Sequence, residues 1–180
     1  IASDQLAMSY FNSFNVPVLV LRPFNTFGPR QSLRAAIPTI ITQLVKNKKK
    51  IKLGSLKPRR DFTYVSDTVN GFVSAIGNKK CLGECINLGT GQDFSIGQTL
   101  NIIKKNLNKK VEVITDSNRV RPKKSEVNRL LSSNIKAKKI LKWQPIYKGQ
   151  KGYEAGLANT IDWFKEEENL KIYKSNIYNY

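Results

Sequence analysis

The stretch Val16-Pro17-Val18-Leu19-Val20-Leu21, followed at once by Arg22-Pro23-Phe24-Asn25-Thr26-Phe27-Gly28-Pro29-Arg30, decides the fold class. A continuous β-branched and aliphatic run of strand length, with no polar alternation, is the pattern of a parallel strand covered on both faces. Ahead of it, Leu6 with Tyr10, and Ala7 with Phe11 and Phe14, recur at helical spacing, and Asn15-Val16-Pro17 stops that helix. A helix running into a buried strand is half of a βαβ unit. The polar loop over residues 23–34 then lies at the carboxyl end of the strand, where open parallel sheets hold ligands.

Outward from there the alternation continues. Ile37, Ile40, Ile41, Leu44 and Val45 form a core-facing helical stripe, and the lysines of residues 46–50 suit the negative end of its dipole. A short strand at residues 51–53, Gly54 and a loop to Arg60 lead into Asp61-Phe62-Thr63-Tyr64-Val65. Ser66 or Asp67 is expected to cap the next helix, with Val69, Phe72, Val73 and Ile76 as its buried face. Residues 84–88 form a strand closed by Gly89-Thr90-Gly91. Ser95-Ile96-Gly97-Gln98 has the capping-box pattern ahead of a helix with Ile96, Leu100, Ile103 and Leu107 on one side. A strand at 111–114, a polar stretch at 119–129, a short helix near 134–141 and a final helix over 152–168 complete an α/β chain. The last helix bears Tyr153, Leu157, Ile161 and Phe164, and Trp143 and Trp163 are expected as core aromatics.

Bulk composition narrows the function classes. The 180 residues are about 40% hydrophobic, enough for a substantial core, and no apolar run approaches the length of a membrane span. The net charge of +18 raises nucleic acid as a partner. Most of the excess is lysine at helix ends and loop tips without interleaved aromatics, so a solvated surface is favoured and neither nucleic acid nor a membrane is expected. Cys81 and Cys85 are the only cysteines and histidine is absent, which argues against zinc and against a Ser or Cys hydrolase, and for reduced thiols in a cytoplasmic protein. A start at Ile1-Ala2-Ser3-Asp4, inside a helical pattern and without Met, is expected of a piece of a longer chain.

Three arginine-containing segments carry the chemistry. They are residues 22–30, residues 59–67 (Arg59-Arg60-Asp61-Phe62-Thr63-Tyr64-Val65-Ser66-Asp67) and residues 119–129 (Arg119-Val120-Arg121-Pro122-Lys123-Lys124-Ser125-Glu126-Val127-Asn128-Arg129). With Ile37-Pro38-Thr39, Asn87-Leu88-Gly89 and Trp143-Gln144-Pro145 between and after them, their order resembles the second half of NAD-dependent epimerases and dehydratases of the extended short-chain dehydrogenase/reductase family. The resemblance covers nearly the whole chain. It implies the carboxyl-terminal part of an NAD(P)-binding Rossmann fold, residues 1–30 and 66–91, beside a smaller α/β sugar-nucleotide domain, residues 31–65 and 92–180, with the amino-terminal cofactor-binding half lying outside this chain.

The same resemblance implies the site. Arg60 and Arg121 would hold the diphosphate through guanidinium forks, and Asn25 would donate to the same region. Pro38, Thr39, Leu53 and Gly54 would wall the nucleobase and ribose, and Pro23 and Phe24 would meet the nicotinamide end of NAD, which is expected rather than NADP. Arg119 and Arg129 are read either as further members of the site or as surface ion pairs, and Glu126 is expected either to orient an arginine or to stay solvated. The catalytic Tyr-x-x-x-Lys is expected upstream of Ile1, so this chain alone would be inactive. The resemblance implies that in the whole enzyme that tyrosine takes the C4 hydroxyl proton as NAD accepts the C4 hydride; a dehydratase then eliminates water across C5 and C6 and returns the hydride to C6, whereas a 4-epimerase returns it to C4 from the other face. Residues 30–43 and 121–127 look most like UDP-N-acetylglucosamine 4,6-dehydratases of the legionaminic-acid type. A UDP-glucose 4-epimerase is the alternative within the class, and a basic nucleic-acid-binding module the alternative outside it. The resemblance further implies a UDP-sugar substrate and a homodimer at full length.

Overall fold

In chain order the computed structural model, which describes residues 2–120, 122 and 124–173, begins with α1 (Ala2–Phe14), β1 (Val20–Pro23), β2 (Asn25–Phe27), α2 (Ala36–Val45), β3 (Lys50–Leu53), β4 (Arg59–Arg60), β5 (Phe62–Tyr64) and α3 (Val65–Ala75). It continues with β6 (Cys85–Leu88), β7 (Phe94–Ser95), α4 (Ile96–Asn106), β8 (Glu112–Thr115), β9 (Arg129–Leu130), α5 (Gly149–Lys165) and α6 (Glu167–Lys171). Three strand pairs are parallel: β1 with β6, β2 with β5, and β3 with β8. The short β4 lies between β7, antiparallel to it, and β9, parallel to it. The α/β class with parallel pairing is therefore as the sequence indicates.

Two hydrophobic clusters organise these elements. The larger gathers Ile37, Ile40, Ile41 and Leu44 of α2, Leu100 and Ile103 of α4, and Tyr153, Leu157, Ile161 and Phe164 of α5 around Phe27, Ile51, Leu53 and Phe62. Gln43 completes this packing with its amide. Its oxygen accepts from Lys52 N at 2.9 Å and its nitrogen donates to Lys52 O at 3.1 Å, so a side chain satisfies the free edge of β3 as a strand would. At the start of α4 the capping box forms, with Ser95 Oγ accepting from Gln98 N at 3.0 Å. The smaller cluster holds Ile86 and Leu88 of β6 with Cys81, Ala137, Leu141 and Trp143. Both cysteines are free, Cys81 buried and Cys85 half-buried.

Several elements differ from the sequence reading, each for a definable reason. The apolar run at residues 16–21 yields a strand only from Val20, because β6 is the one strand that pairs with β1 among the described residues. The face of α3 expected to be buried is exposed at Val69, Phe72, Val73 and Ile76, because no described element covers it. Neither Ser66 nor Asp67 caps α3, which starts at Val65 with Tyr64 as its N-cap residue. The final helix breaks at Glu166, whose backbone is extended (φ −63°, ψ 123°), giving α5 and α6. The short helix after residue 134 winds as a π-turn over Ala137–Leu141. Trp143 is buried and Trp163 half-buried against the larger cluster. Among the described residues no helix is long and apolar enough to cross a membrane.

Candidate functional site

At the carboxyl end of β3 and alongside β2 the molecule opens into a cleft of about 470 Å³. Asn25 and Thr26 of β2 form one wall, Leu53 and Gly54 the floor near β3, and Arg60 of β4 and Arg119 the cationic side. Asn25 is fixed by its strand register opposite Phe62 and by donation from Nδ2 to Asp61 O at 3.3 Å. Gly54 is required by close approach: a Cβ there would lie 2.3 Å from Arg119 O, so only glycine lets the turn at Ser117–Arg119 settle on the end of β3.

Arg60 is held by three acceptors. Its Nη1 donates to Arg59 O at 2.9 Å and Val127 O at 2.6 Å, and its Nη2 to Glu126 Oε1 at 2.9 Å. A guanidinium has five N–H donors, so donors remain for a ligand in the cleft. Glu126 thus orients an arginine, as one of the two expectations had it. Arg119 is steadied by Asp116, Nε to Oδ2 at 3.1 Å. Arg59 and Arg129 turn elsewhere and converge on Asp93, whose carboxyl they hold below the usual carboxylate range, chiefly through the hydrogen bond from Arg59.

Beneath the cleft a buried acid ties the loops together. Asp61 accepts from Thr90 N at 2.8 Å, Thr90 Oγ1 at 2.7 Å, Gly91 N at 3.0 Å, Ser132 N at 3.2 Å and Ser132 Oγ at 2.7 Å. It thereby fixes the turn between β4 and β5, next to Arg60, against two distant segments. Asp67 makes a second clamp, accepting from Ile146 N and Tyr147 N at 2.9 Å each while its carbonyl accepts from Trp143 Nε1 at 2.9 Å. The Arg-Asp and Val-x-Asp pattern of residues 60–67 therefore serves cleft geometry as much as contact.

Of the residues singled out from sequence, Asn25, Thr39, Leu53, Gly54 and Arg60 line this one cleft. Pro38 does not; it is buried within α2. Pro23 and Phe24 lie outside the cleft at the end of β1, where Phe24 N donates to Leu88 O at 2.9 Å. Arg121 lies outside the described residues. Gln31 and Arg34, which sequence reasoning left unassigned, also line the cleft. Gln31 gives its Nε2 to Thr26 O at 2.7 Å while its buried Oε1 has no partner among the described residues, a polarity visible only once the loop is folded. Tyr147 and Lys151 have Tyr-x-x-x-Lys spacing, but Tyr147 lies outside the cleft, its ring 4.3 Å from Tyr64 and its hydroxyl accepting from Asn159. Burial pushes the phenol of Tyr153 far above its ordinary range, as fits a core residue rather than a base. Among the described residues no group of metal-ligating side chains forms.

Comparison with known proteins agrees with this geometry. The family described as GDP-mannose 4,6 dehydratase matches residues 1–155. UDP-glucuronate 4-epimerase of Thermodesulfobacterium geofontis is 30% identical over 175 residues, covering 96% of this chain and 50% of its own. The mouse dTDP-D-glucose 4,6-dehydratase is 29% identical over 170 residues, covering 92% of this chain and 46% of its own. Among solved structures, the Bacillus cereus UDP-glucuronic acid 4-epimerase, determined with UDP-glucuronic acid and NAD, superposes with a TM-score of 0.79 at 26% identity, covering 96% of this chain and 51% of that one. The chain thus spans about half the length of the relatives it matches. Its parallel strand pairs, its arginine-lined cleft and this match over most of its length place it in the GDP-mannose 4,6-dehydratase-like family of NAD-dependent epimerases and dehydratases, the extended short-chain dehydrogenase/reductases.

Proposed function

We propose that the protein containing this chain is an NAD-dependent nucleotide-sugar 4,6-dehydratase acting on a UDP-N-acetylhexosamine, and that this chain supplies its sugar-nucleotide site. The observation that carries the reading is the convergence of Arg60, Asn25 and Gly54, from three separate segments, on one cleft at the carboxyl end of β3 and beside the amino end of β2. A diphosphate bears charge that guanidinium forks bind with direction as well as strength. Arg60, already oriented by Glu126, is the phosphate ligand, and Arg121 the second; Asn25 adds a neutral donor. Thr39, Leu53 and Gly54 shape the base and ribose end, with Pro38 supporting Thr39 from within α2. The division into a Rossmann part, residues 1–30 and 66–91, and a substrate part, residues 31–65 and 92–180, belongs to the same proposal, as does a homodimer.

For NAD, one region among the described residues is the candidate contact. Pro23 and Phe24, at the carboxyl end of β1 and braced by the bond from Phe24 N to Leu88 O, fit the nicotinamide end, and the dinucleotide's phosphates would be held by residues outside this chain. When bound, NAD takes up and returns a hydride. The residues here bind the nucleotide, fix the sugar carbon in register with that chemistry and exclude solvent from one side. A 4-epimerase is the second reading, supported by the UDP-glucuronate 4-epimerase relative.

Proton NMR of the protein incubated with UDP-N-acetylglucosamine and NAD separates the two. Dehydration creates a new C6 methyl signal; epimerisation inverts C4 and creates none. An epimer as sole product would discard the dehydratase reading. Arg60→Ala is expected to weaken UDP binding by about 2 kcal/mol, roughly thirtyfold. Unchanged affinity would remove the cleft assignment itself.

A further inference from the structure

Two turns far apart in sequence stand side by side at the end of the molecule away from the cleft. Residues 46–50 close α2 and enter β3; residues 104–111 close α4 and enter β8. Because β3 and β8 pair in parallel with Lys50 opposite Glu112, both turns reach the same edge, the amino ends of the strands. Contacts bind them together: Glu112 N donates to Lys49 O at 3.1 Å, and Lys109 Nζ to Asn47 Oδ1 at 2.5 Å. The fold thus gathers eight lysines, at 46, 48, 49, 50, 104, 105, 109 and 110, with no carboxylate in the two segments; the next residue, Glu112 of β8, pairs with Lys50 at 3.0 Å. Lys46, Lys49, Lys50, Lys105 and Lys110 are exposed. Helix dipoles account for a cation or two in each last turn, such as Lys104 and Lys105. They do not account for Lys49, Lys50, Lys109 and Lys110, which follow the helices.

Against the expectation from composition that no membrane is bound, we propose that this lysine-rich end is a peripheral docking surface for an anionic lipid bilayer. Neither turn contains arginine or an aromatic residue, so the forks and stacking platforms with which proteins read nucleic acids are missing, while a charged bilayer asks only for several cations on one side of the molecule. The large exposed apolar residues lie elsewhere, on α1 and α3 among other places and not in these turns, so attachment is by charge without insertion. Orientation favours it as well. The opposite ends of β3 and β8 lead to Gly54 and Arg119 in the cleft, about 10 Å away at a strand's rise per residue, so a molecule held by its lysine end keeps the cleft open to solvent.

The proposal is independent of the substrate assignment, and its test needs no sugar nucleotide. The protein containing this chain is sedimented with phosphatidylcholine vesicles, with and without about one-third phosphatidylglycerol, at about 50 mM and about 300 mM salt. Two variants of equal net charge are compared: K46Q/K49Q/K105Q/K110Q at the proposed surface and K138Q/K139Q/K148Q/K151Q, four exposed lysines elsewhere. Binding to anionic vesicles only, lost at high salt, reduced at least about tenfold by the first set and less than about twofold by the second, is the expected result. Equal losses in the two variants would make net charge, not this surface, responsible and overturn the proposal. Equal binding to neutral vesicles, no binding to either, or displacement from anionic vesicles by random-sequence duplex DNA at equal charge would overturn it too. Matching melting temperatures of the two variants and the parent establish that all three are folded.

Discussion

Helices α2 and α3 carry apolar residues at identical spacing and meet opposite fates. In α2, positions 37, 40, 41 and 44 are all but sealed, with Ile40, Ile41 and Leu44 at 0% exposure. In α3 and the Ile76 that ends it, positions 69, 72, 73 and 76 are open, from 45% at Phe72 to 81% at Ile76. Periodicity states which face of a helix favours cover; it does not state that cover is at hand. The difference extends to the surrounding regions. Around α2 the packing includes α4, α5 and stacked aromatics such as Phe94 on Tyr153, 4.2 Å between ring centres. Around α3 lies a groove of about 530 Å³ shared with α1 and β1, and α1 buries none of its residues.

The strongest way to break this contrast is to cut the junction between the two regions. Asp61 holds β4 and β5 to the loop after β6 and to Ser132, and Asp61→Ala leaves the buried Ser132 donors, and the backbone N–H groups of Thr90 and Gly91, without this acceptor. A loss of about 3–5 kcal/mol is expected, measured by urea unfolding, with α3 and β6 amides exchanging faster than those of α2. Within the packed region, Leu157→Ala is expected to cost about 2–5 kcal/mol in the same assay, because the surrounding helices cannot collapse onto the vacancy.

An ion pair on the border of the packed region gives a smaller and pH-dependent effect. Asp93, bonded by Arg59 and Arg129, has its pKa lowered from the ordinary 3.8, so its contribution is complete above that value and fades as pH falls through the depressed one. Asp93→Asn is therefore expected to be less stable than the parent by about 1–2 kcal/mol near neutrality, with the two curves converging under acid below about pH 3.8. The smallest effect sharpens the comparison most. Phe72→Ala on α3 is expected to change the stability of the 180-residue chain by no more than about 0.5 kcal/mol. In the protein containing the chain, a cost of about 3 kcal/mol or more would identify this face as one that a further segment covers.

Much of the cleft was legible because its chemistry is carried by uncommon local strings. Arg60, Asn25, Thr39, Leu53 and Gly54 each sit in a motif whose spacing survives folding, and the structure brings them to one place. Gln31 and Arg34 were not legible, since a loop residue gains its role from what the loop lies against. Pro38 lies outside the cleft for the converse reason: the first turn of a helix has one side toward the cleft and another toward the core, and the sequence does not say which residue takes which.

By itself the chain determined its α/β class, its main helices, the four strands β1, β3, β6 and β8 and the amphipathic faces, because propensity, capping and apolar spacing are local properties read along the backbone. The short β2, β4, β5, β7 and β9 read as loop in the sequence. Tertiary structure alone decided which of those faces are buried, where Asp61 and Asp67 find their donors, and that lysines some sixty residues apart form one surface. Those outcomes depend on pairing between distant segments, and the energy of a contact exists only when both partners are present.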